Sequence, residues 1–463
     1  MKTKQIQRPR GRRARGGLTL PRVLSVAAAI AQASLGCRSE AQAPASRPVD
    51  QVLLGDLYAQ AQRTNPRAAA ARAFVQAAQA RVSGASRPPD PQVQLGFMNY
   101  SIPGFAPMPA IGMTQLQLMQ MIPLAGKLSL SGVVAGAHAS TAAARAEDIA
   151  WDVRNQAAMA FYDLYATDQG LGVARQTLRV LQDIERTAEA MYRVGEGRQA
   201  DVLRAQVEVA KMGEDTLRMQ AMRASMVAKI NALLDRDPGS LVGTPALPRF
   251  PDGIPARAQL DSIAFGGRSM IRAGVEDVRA ADASERLARK EIIPDLAIGV
   301  QVGQRGGAMG TERMGSLMIG ASVPVFARDR QYRMGDEAAA MSLMARSELA
   351  AIRAETRGRI GESYAALARA RTLAQLYRTT VLPQAEATVA SALSAYRVGS
   401  VDFMTLFDDR MAVNRYRQEL YRLEADQGKA WAELEMLTGR ELMDPNTSRS
   451  EAGAGSAPRG GAR

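Results

Sequence analysis

The segment Tyr192-Arg193-Val194-Gly195 returns 204 residues later in the chain as Tyr396-Arg397-Val398-Gly399. Two further pairs of segments recur in the same order, at offsets of 205 and 201 residues: Pro89-Asp90 with Pro294-Asp295, and Ile122–Lys127 with Val323–Arg328. Three ordered matches at nearly one spacing predict that one large unit has been duplicated. Because solenoid repeats span only about 20–50 residues, each copy here should contain several elements of secondary structure.

The residue pattern predicts the same order of elements in two copies, residues 50–245 and 255–440. In the first copy we expect a helix broken at Asn65-Pro66, two alternating segments, a long helix and a return helix: 52–85, 92–97, 114–121, 128–192 and 199–234. The corresponding segments of the second copy are 261–290, 296–302, 317–323, 331–396 and a return helix that ends near Leu437. Pro383 should kink or divide the second long helix. The glycines between residues 306 and 315 predict a loop.

The long segments favour helices that pack as coiled coils. Residues 128–192 contain no proline, and a spacing of seven relates four apolar residues: Ala157, Leu164, Leu171 and Leu178. Such a spacing is typical of coiled-coil packing. A helix of this length would extend roughly 100 Å at about 1.5 Å per residue.

The alternating segments predict strands with two different faces. In the second of them the period of two separates two sets of side chains: Leu116, Leu118 and Gln120 on one face, and Gln115, Gln117 and Met119 on the other. One apolar and one polar face fits either a half-buried soluble hairpin or a strand of a membrane β-barrel.

The first 37 residues have the pattern of a secretion signal. Eight Lys and Arg residues precede the apolar segment Val23–Ala31, and small residues follow it, which is the order of a signal peptide. Cys37, the only cysteine, follows Ser34-Leu35-Gly36. It is either the lipidated cysteine of a lipoprotein or part of a discarded signal. At the other end, residues 445–463 are rich in Ser, Gly, Ala and Arg, which predicts disorder.

The composition argues against several classes of function. The net charge of +13 falls to +5 without the eight basic residues of the signal, and no basic–aromatic pattern predicts nucleic-acid binding. No run of 18 or more apolar residues predicts a transmembrane helix. His138 is the only histidine, so no cluster for a His-based metal site or a Ser-His-Asp triad exists. We therefore expect neither an enzyme nor a cofactor.

With its two copies of helix, strand pair, very long helix, glycine turn and helix, the chain resembles the TolC-type outer-membrane efflux family over residues 50–440. The likeness is carried by Tyr192–Gln206, by its mate Tyr396–Asp408, and by the segments around Pro123 and Pro324. The resemblance implies a mainly α fold with membrane β-structure, in which each protomer gives four strands. Three protomers would close a 12-stranded barrel, and the long helices would form a periplasmic tunnel.

The resemblance also implies a function and partners. The protein would be the outer-membrane channel of a tripartite efflux system, passively conducting substrates from an inner-membrane pump and a periplasmic adaptor protein. The glycine turns at Gly195, Gly197 and Gly399 would form the periplasmic tip that contacts the adaptor. The alternative is a periplasmic coiled-coil scaffold or adaptor without a pore.

In the family, acidic residues six and nine positions after the second tip glycine narrow the pore. Here the sixth and ninth residues after Gly399 are Thr405 and Asp408, and after Gly195 they are Asp201 and Arg204. Asp408 and Asp201 are therefore the gate candidates that the resemblance implies, and Asp402 and Asp409 are weaker ones. The alternative for each is a solvated helix carboxylate or a helix cap.

The segment Gln120–Lys127 resembles the branch of the family associated with heavy-metal efflux. Five methionines cluster near the first predicted hairpin: Met98, Met108, Met113, Met119 and Met121. Thioethers suit soft Cu(I), but Met is also an adaptable apolar residue, and 23 are spread along the chain. We predict heavy-metal cations as a possible substrate and no resident metal site.

Overall fold

The computed structural model describes residues 51–109, 111–307 and 310–447. The predicted secretion signal, with Cys37, lies outside the described residues. So does most of the predicted disordered tail.

The first copy contains the predicted elements in the predicted order. A short strand β1 (Gln51–Val52) precedes two helices, a strand pair and two long helices: α1 (Leu54–Thr64), α2 (Pro66–Ala85), β2 (Gln92–Met98), β3 (Met113–Ile122), α3 (Lys127–Arg193) and α4 (Gln199–Leu233). The break between α1 and α2 has a local cause. Asn65 accepts hydrogen bonds from the backbone N–H groups of Arg67, at 2.9 Å, and Ala68, while Pro66 occupies the first helical position, where no N–H is needed.

The second copy repeats this order. A short strand β4 (Thr244–Pro245), at the end of the first copy, pairs with β1. The second copy then contains α5 (Arg257–Gly267), α6 (Ser269–Lys290), β5 (Leu296–Gly307), β6 (Gly310–Ala321), α7 (Gln331–Leu376), a π-helical turn (Tyr377–Val381), α8 (Leu382–Arg397) and α9 (Phe403–Thr438). The segment α7 to α8 has 46, 5 and 16 residues in turn, which together equal the 67 residues of α3. The duplicated halves therefore have long helical arms of the same length.

Two details of the second copy differ from the sequence predictions, and a third agrees with them. The glycine-rich stretch 306–315 is mostly strand, because Gly306 pairs with Thr311 and Gly307 with Gly310 in the ladder of β5 and β6. The helix predicted over 261–290 is two helices, which meet at Arg268. The division predicted at Pro383 is confirmed: a π-helical turn ends at Val381, and α8 begins at Leu382, since proline cannot donate the helical N–H bond.

The four longer strands form one antiparallel sheet in the order β2-β3-β5-β6. The central pairing joins the two copies, with Leu118 opposite Val300 and Leu116 opposite Val302. Because β3 leads into the start of α3 and the Gly195 turn follows its end, the sheet and this turn are separated by roughly 100 Å of helix at about 1.5 Å per residue.

The helices share a buried apolar core that draws on both copies. Its members include large side chains from α1, α3, α5, α7 and α9: Leu54, Phe161, Tyr162, Leu260, Leu367 and Trp431. A second cluster fills the space near the glycine turns with residues of α3, α4, α8 and α9: Leu181, Ala205, Tyr396, Phe403 and Leu406. In the large core, α9 approaches α3 so closely that a Cβ on Gly428 would lie 2.2 Å from the ring of Tyr162.

We expect Gly428→Ala to destabilise the protein by about 1–3 kcal/mol, because the added methyl group overpacks the contact with Tyr162. Gly358 is the matched control, since it is also inside a helix but has no atom within 4 Å of its added Cβ. Gly358→Ala should raise stability by about 0.5–1 kcal/mol through its better helix propensity. Denaturant unfolding followed by circular dichroism measures both changes. Equal effects of the two variants would contradict the close approach of α9 to α3.

Candidate channel wall and helical tip

The four-stranded sheet has one face that is apolar across all its strands. The register places four side chains in one row across the sheet: Val93, Leu118, Val300 and Leu317. These side chains are 48–67% exposed, although a row of this kind would normally be covered in a soluble sheet. An exposed apolar face of this extent marks a surface that contacts another protein or a membrane.

The opposite face of the sheet combines glutamines with methionines and glycines, and one row across it is polar. Gln94, Gln117, Gln301 and Ser316 form a row directly behind the apolar one. Gln301 donates a hydrogen bond to Gln115 of the neighbouring strand. The alternation predicted for residues 114–121 therefore extends over both hairpins, and its polar face can face water.

The two outer strands of the sheet each have an edge without a partner. Within the described ranges, β2 pairs only with β3 and β6 only with β5. The outer N–H and C=O groups of β2 and β6 consequently lack ladder hydrogen bonds. Unpaired strand edges of this kind are templates for pairing with another strand.

A buried lysine next to the sheet links the two copies through an ion pair. The ammonium of Lys127, at the start of α3, donates to Asp295 at 2.8 Å and to the carbonyl of Ile293 at 2.9 Å, and pairs with Glu291 at 3.4 Å. Only 6% of its side chain is exposed. Burial alone would lower the pKa of Lys127, but the hydrogen bond to Asp295 and the charge of Glu291 outweigh it and raise that pKa. Both Lys127 and Asp295 belong to repeated segments, but no local sequence pattern indicates that they pair.

A second buried ion pair lies in the helical core and is structural. Arg154 of α3 is 3.3 Å from Glu435 of α9, and its guanidinium lies 4.0 Å from the centre of the Tyr58 ring. Glu435 also accepts the backbone N–H groups of Leu442 and Met443, at 2.8 and 3.0 Å. Burial raises the pKa of Glu435 despite these hydrogen bonds. The pair holds the chain after α9 against the helices.

The two glycine turns at the far end of the helices have the same backbone geometry. Gly195 and Gly399 adopt φ values of +82° and +70°, in the left-handed region that favours glycine. Each turn closes with the same two hydrogen bonds, from Gly195 to Tyr192 and Glu196 to Met191, and from Gly399 to Tyr396 and Ser400 to Ala395. This is the Schellman pattern of a helix end.

The two turns differ at the second residue after Gly195 and Gly399. A Cβ on Gly197 would lie 2.8 Å from the backbone nitrogen of Tyr192, so the first turn requires glycine there. The second turn has Val401 at the corresponding position. Asp402 then caps α9, where its carboxylate accepts the backbone N–H of Thr405 at 3.1 Å and the hydroxyl of Thr405 at 2.6 Å.

The environment of Asp402 is that of a helix cap. The hydrogen bonds from Thr405, with a smaller contribution from the charge of Arg198, lower the pKa of Asp402. The corresponding residue of the first turn is Arg198 itself, which caps α4 without a side-chain hydrogen bond. For Asp402, the structure therefore favours the alternative of a cap over that of a gate.

The other three candidate carboxylates lie in different surroundings. Phe403, Leu406 and Phe407 set the packed face of α9, and Asp408 is exposed on the opposite face. Asp409 and Asp201 are half-buried. Asp201 lies in the first turn of α4, and its charge is felt by Tyr396, whose pKa is raised mainly by burial and then by Asp201. Of these three candidates, Asp408 is the one that is exposed.

Two further features of the described residues concern metal binding and membrane-spanning helices. No group of three or more His, Cys, Asp or Glu side chains among them is arranged to hold a metal ion. Met98 and Met113 are paired in the ladder of β2 and β3, where they pack as strand side chains. No helix in the ranges that the structure describes is both long enough and apolar enough to cross a membrane.

Comparison with known proteins gives a family match in the second copy and a fold match over most of the chain. Residues 263–440 match the family described as outer membrane efflux protein. No curated protein matches the sequence. Among solved structures, CusC, described for folding and transmembrane channel formation, is 16% identical with a TM-score of 0.72, covering 84% of this chain and 92% of its own.

Two further structures agree with this match. VceC, an outer membrane protein of Vibrio cholerae, is 15% identical with a TM-score of 0.71, covering 84% of this chain and 96% of its own. The CmeC outer membrane channel of Campylobacter jejuni is 13% identical with a TM-score of 0.71, covering 87% of this chain and 88% of its own. At these identities the likeness establishes the fold, and the fold class predicted from the sequence is confirmed.

Thermal stability can distinguish the helix cap Asp402 from the exposed carboxylate of Asp408. We expect Asp402→Ala to lower the thermal midpoint of the protein, because α9 loses its cap. Asp402→Asn should keep the midpoint, since Asn caps as well as Asp. Asp408→Ala is the control and should leave the midpoint unchanged, because the exposed carboxylate makes no hydrogen bond among the described residues. A larger loss for Asp408→Ala than for Asp402→Ala would contradict these assignments.

Proposed function

We propose that this chain, a member of the outer membrane efflux protein family, is the outer-membrane channel subunit of a tripartite efflux system. It conducts substrates passively from the periplasmic side to the exterior. The family match, the fold shared with solved outer-membrane channels and the two-faced sheet support this proposal.

The single observation that carries the proposal is the four-stranded sheet. Its apolar face is exposed across every strand, its other face carries a polar row of three glutamines and a serine, and its two edges have no partner among the described residues. Lipid tolerates no unpaired strand edge, so a spanning sheet must close. Four strands are too few to close around a lumen, and three copies would give 12 strands with the apolar face toward lipid and the glutamines toward water.

The long helices would extend this closed sheet into a periplasmic tunnel. At the tip, Val194 and Val398 flank the two glycine turns and are 70% and 78% exposed. We propose this end, with Gly195, Gly197 and Gly399, as the contact for a periplasmic adaptor protein that links the channel to an inner-membrane pump. The copies 50–245 and 255–440 would contribute equivalent parts to the sheet and the tunnel, after a signal that ends by Cys37.

The channel is proposed to narrow at the tip around Asp408. Three copies would place a ring of three such carboxylates around the axis, which favours the passage of cations. Asp201 and Asp409 are secondary members of this gate, because both are half-buried. Heavy-metal cations are the substrate class to test first, given the likeness of Gln120–Lys127 to the heavy-metal branch.

The membrane proposal predicts opposite outcomes for two adjacent residues of β5. Val300→Arg should abolish assembly in the outer membrane, because a charge on the lipid face costs about 2–4 kcal/mol near the midplane. Gln301→Arg is the matched control and should assemble, while conducting fewer cations. Membrane fractionation and bilayer conductance measure the two outcomes. Release of the unaltered protein from membranes by carbonate would instead support a periplasmic scaffold without a pore.

The gate proposal predicts a loss of cation preference on removal of one charge. Asp408→Asn should shift the reversal potential, measured across a planar bilayer under a salt gradient, toward zero. Asp409→Asn, on the next residue of the same helix, should cause a smaller shift because its carboxylate is half-buried. Single-channel currents of Asp408→Asn that match those of the unaltered protein would remove Asp408 from the gate.

A further inference from the structure

The internal repeat allows the unpaired edges of the sheet to be matched residue by residue. The segment before β2 recurs before β5 at an offset of 205, and the segment after β3 recurs after β6 at an offset of 201. Applied to the observed pair Gln94 and Gln117, these offsets predict a pair of Gly299 with Met318. That pair is present in the ladder of β5 and β6, so the offsets relate the two hairpins residue by residue.

The same offsets can be applied to the junction between the copies, where β3 pairs with β5. The observed pairs Leu116 with Val302 and Leu118 with Val300 translate to Leu317 with Phe97 and to Ile319 with Leu95. Within one chain these residues lie on opposite edges of the sheet, on β6 and β2. In this register a second copy of the chain would supply the partner strand.

The side-chain faces provide an independent check of this register. A shift of one residue would place the apolar face of one strand beside the polar face of the next. In the translated register, exposed apolar side chains meet on the same face: Leu95 with Ile319, and Phe97 with Leu317. These side chains are 46–70% exposed in the single chain, and the apolar face of the sheet continues unbroken across the new pair.

The buried lysine also has a counterpart at this edge. The offset of 201 relates Lys127 to Arg328, and the offset of 205 relates Asp295 to Asp90. Lys127 is 5% exposed and paired with Asp295, whereas Arg328 and Asp90 are both exposed. Among the described residues, no hydrogen bond or ion pair is found for the side chain of either. Opposite charges thus stand at the two places that the repeat assigns to one ion pair.

The helices differ between the copies in the same way: side chains that are packed on α9 correspond to exposed side chains on α4. Phe407, Met411 and Tyr421 of α9 pack into the apolar clusters, and Tyr421 meets Tyr165 of α3 at 6.3 Å between ring centres. At the offset of the glycine turns, 204 residues, the corresponding side chains of α4 are exposed: Leu203, Val207 and Leu217. In the assembled protein, α7 and α8 of a neighbouring copy would cover these side chains of α4.

We propose that a second copy of this chain pairs its β2 with β6 so that Val93 faces Ala321, Leu95 faces Ile319 and Phe97 faces Leu317, and that Arg328 forms an ion pair with Asp90 of that copy. The pairing rests on the proposed trimeric channel and specifies its subunit interface. The ion pair is the intersubunit counterpart of Lys127 with Asp295.

Disulfide cross-linking tests the register directly. Directly opposed Cβ atoms in a sheet are about 4.5–5.5 Å apart, within the adjustment that a disulfide requires. We expect Val93→Cys with Ala321→Cys, oxidised in outer membranes, to give covalent dimers and trimers on denaturing gels. Val93→Cys with Gly320→Cys is the mismatched control, because residue 320 points to the opposite face. Each single-cysteine variant controls for cross-linking through Cys37.

The outcomes separate this pairing from the channel proposal. Trimers that cross-link through the mismatched pair, or through neither pair, would overturn the register while leaving the channel intact. A protein that is monomeric in mild detergent would overturn the trimeric channel itself. Cross-linking through the matched pair alone supports both.

Charge reversal tests the ion pair. Arg328→Asp and Asp90→Arg should each lower the temperature at which the trimer dissociates in detergent, and the double variant should recover most of the loss. Arg236→Asp, at an exposed arginine after α4, is the matched control and should have no effect. Circular dichroism verifies that each variant is folded. Equal dissociation temperatures for the unaltered protein and both single variants, or no recovery in the double variant, would overturn the ion pair.

Discussion

In the part of the chain that the structure describes, the outer strands β2 and β6 each have one edge of backbone N–H and C=O groups without a partner strand. Backbone N–H and C=O groups in lipid must be paired within protein, and a four-stranded sheet leaves two rows of them open. In the proposed channel, other copies close those edges, so that the exposed apolar face contacts lipid and the opposite face, with its row of glutamines, borders the lumen. The demand for pairing at the edge thus makes assembly a condition of membrane insertion, and assembly in turn creates the lumen.

Duplication gives the chain an internal example of the contacts that we propose between its copies. The pairing of β3 with β5 and the buried contact of Lys127 with Asp295 join two copies within one chain. The same surfaces recur at the outer edges with Arg328 and Asp90, exposed and of opposite charge. The copies are not interchangeable at the tip, because Gly197 packs against a helix end, whereas Asp402 caps one. Similar backbones therefore support different roles.

Much of the fold could be predicted from local signals. The absence of proline predicts α3 almost to the residue, and Asn65-Pro66 predicts the break that the side chain of Asn65 caps. The prediction failed at 306–315, where glycines indicate a loop and the chain continues as strand. Glycine has no side-chain pattern to reveal a strand, and the ladder with the neighbouring strand supplies the hydrogen bonds that decide its conformation. The candidate carboxylates were found by resemblance, and only their neighbours distinguish the cap Asp402 from the exposed Asp408.

The sequence by itself determined the duplication, the helix lengths and the alternation of the strands, because periodicity and proline and glycine positions act over a few residues. The tertiary structure decided which strands pair, that the apolar rows align across both hairpins, and that Lys127 meets Asp295 across the copies. The contacts between the two copies join residues more than a hundred positions apart. Which residues meet depends on how the long helices return the chain to the sheet, and no local sequence pattern contains that information.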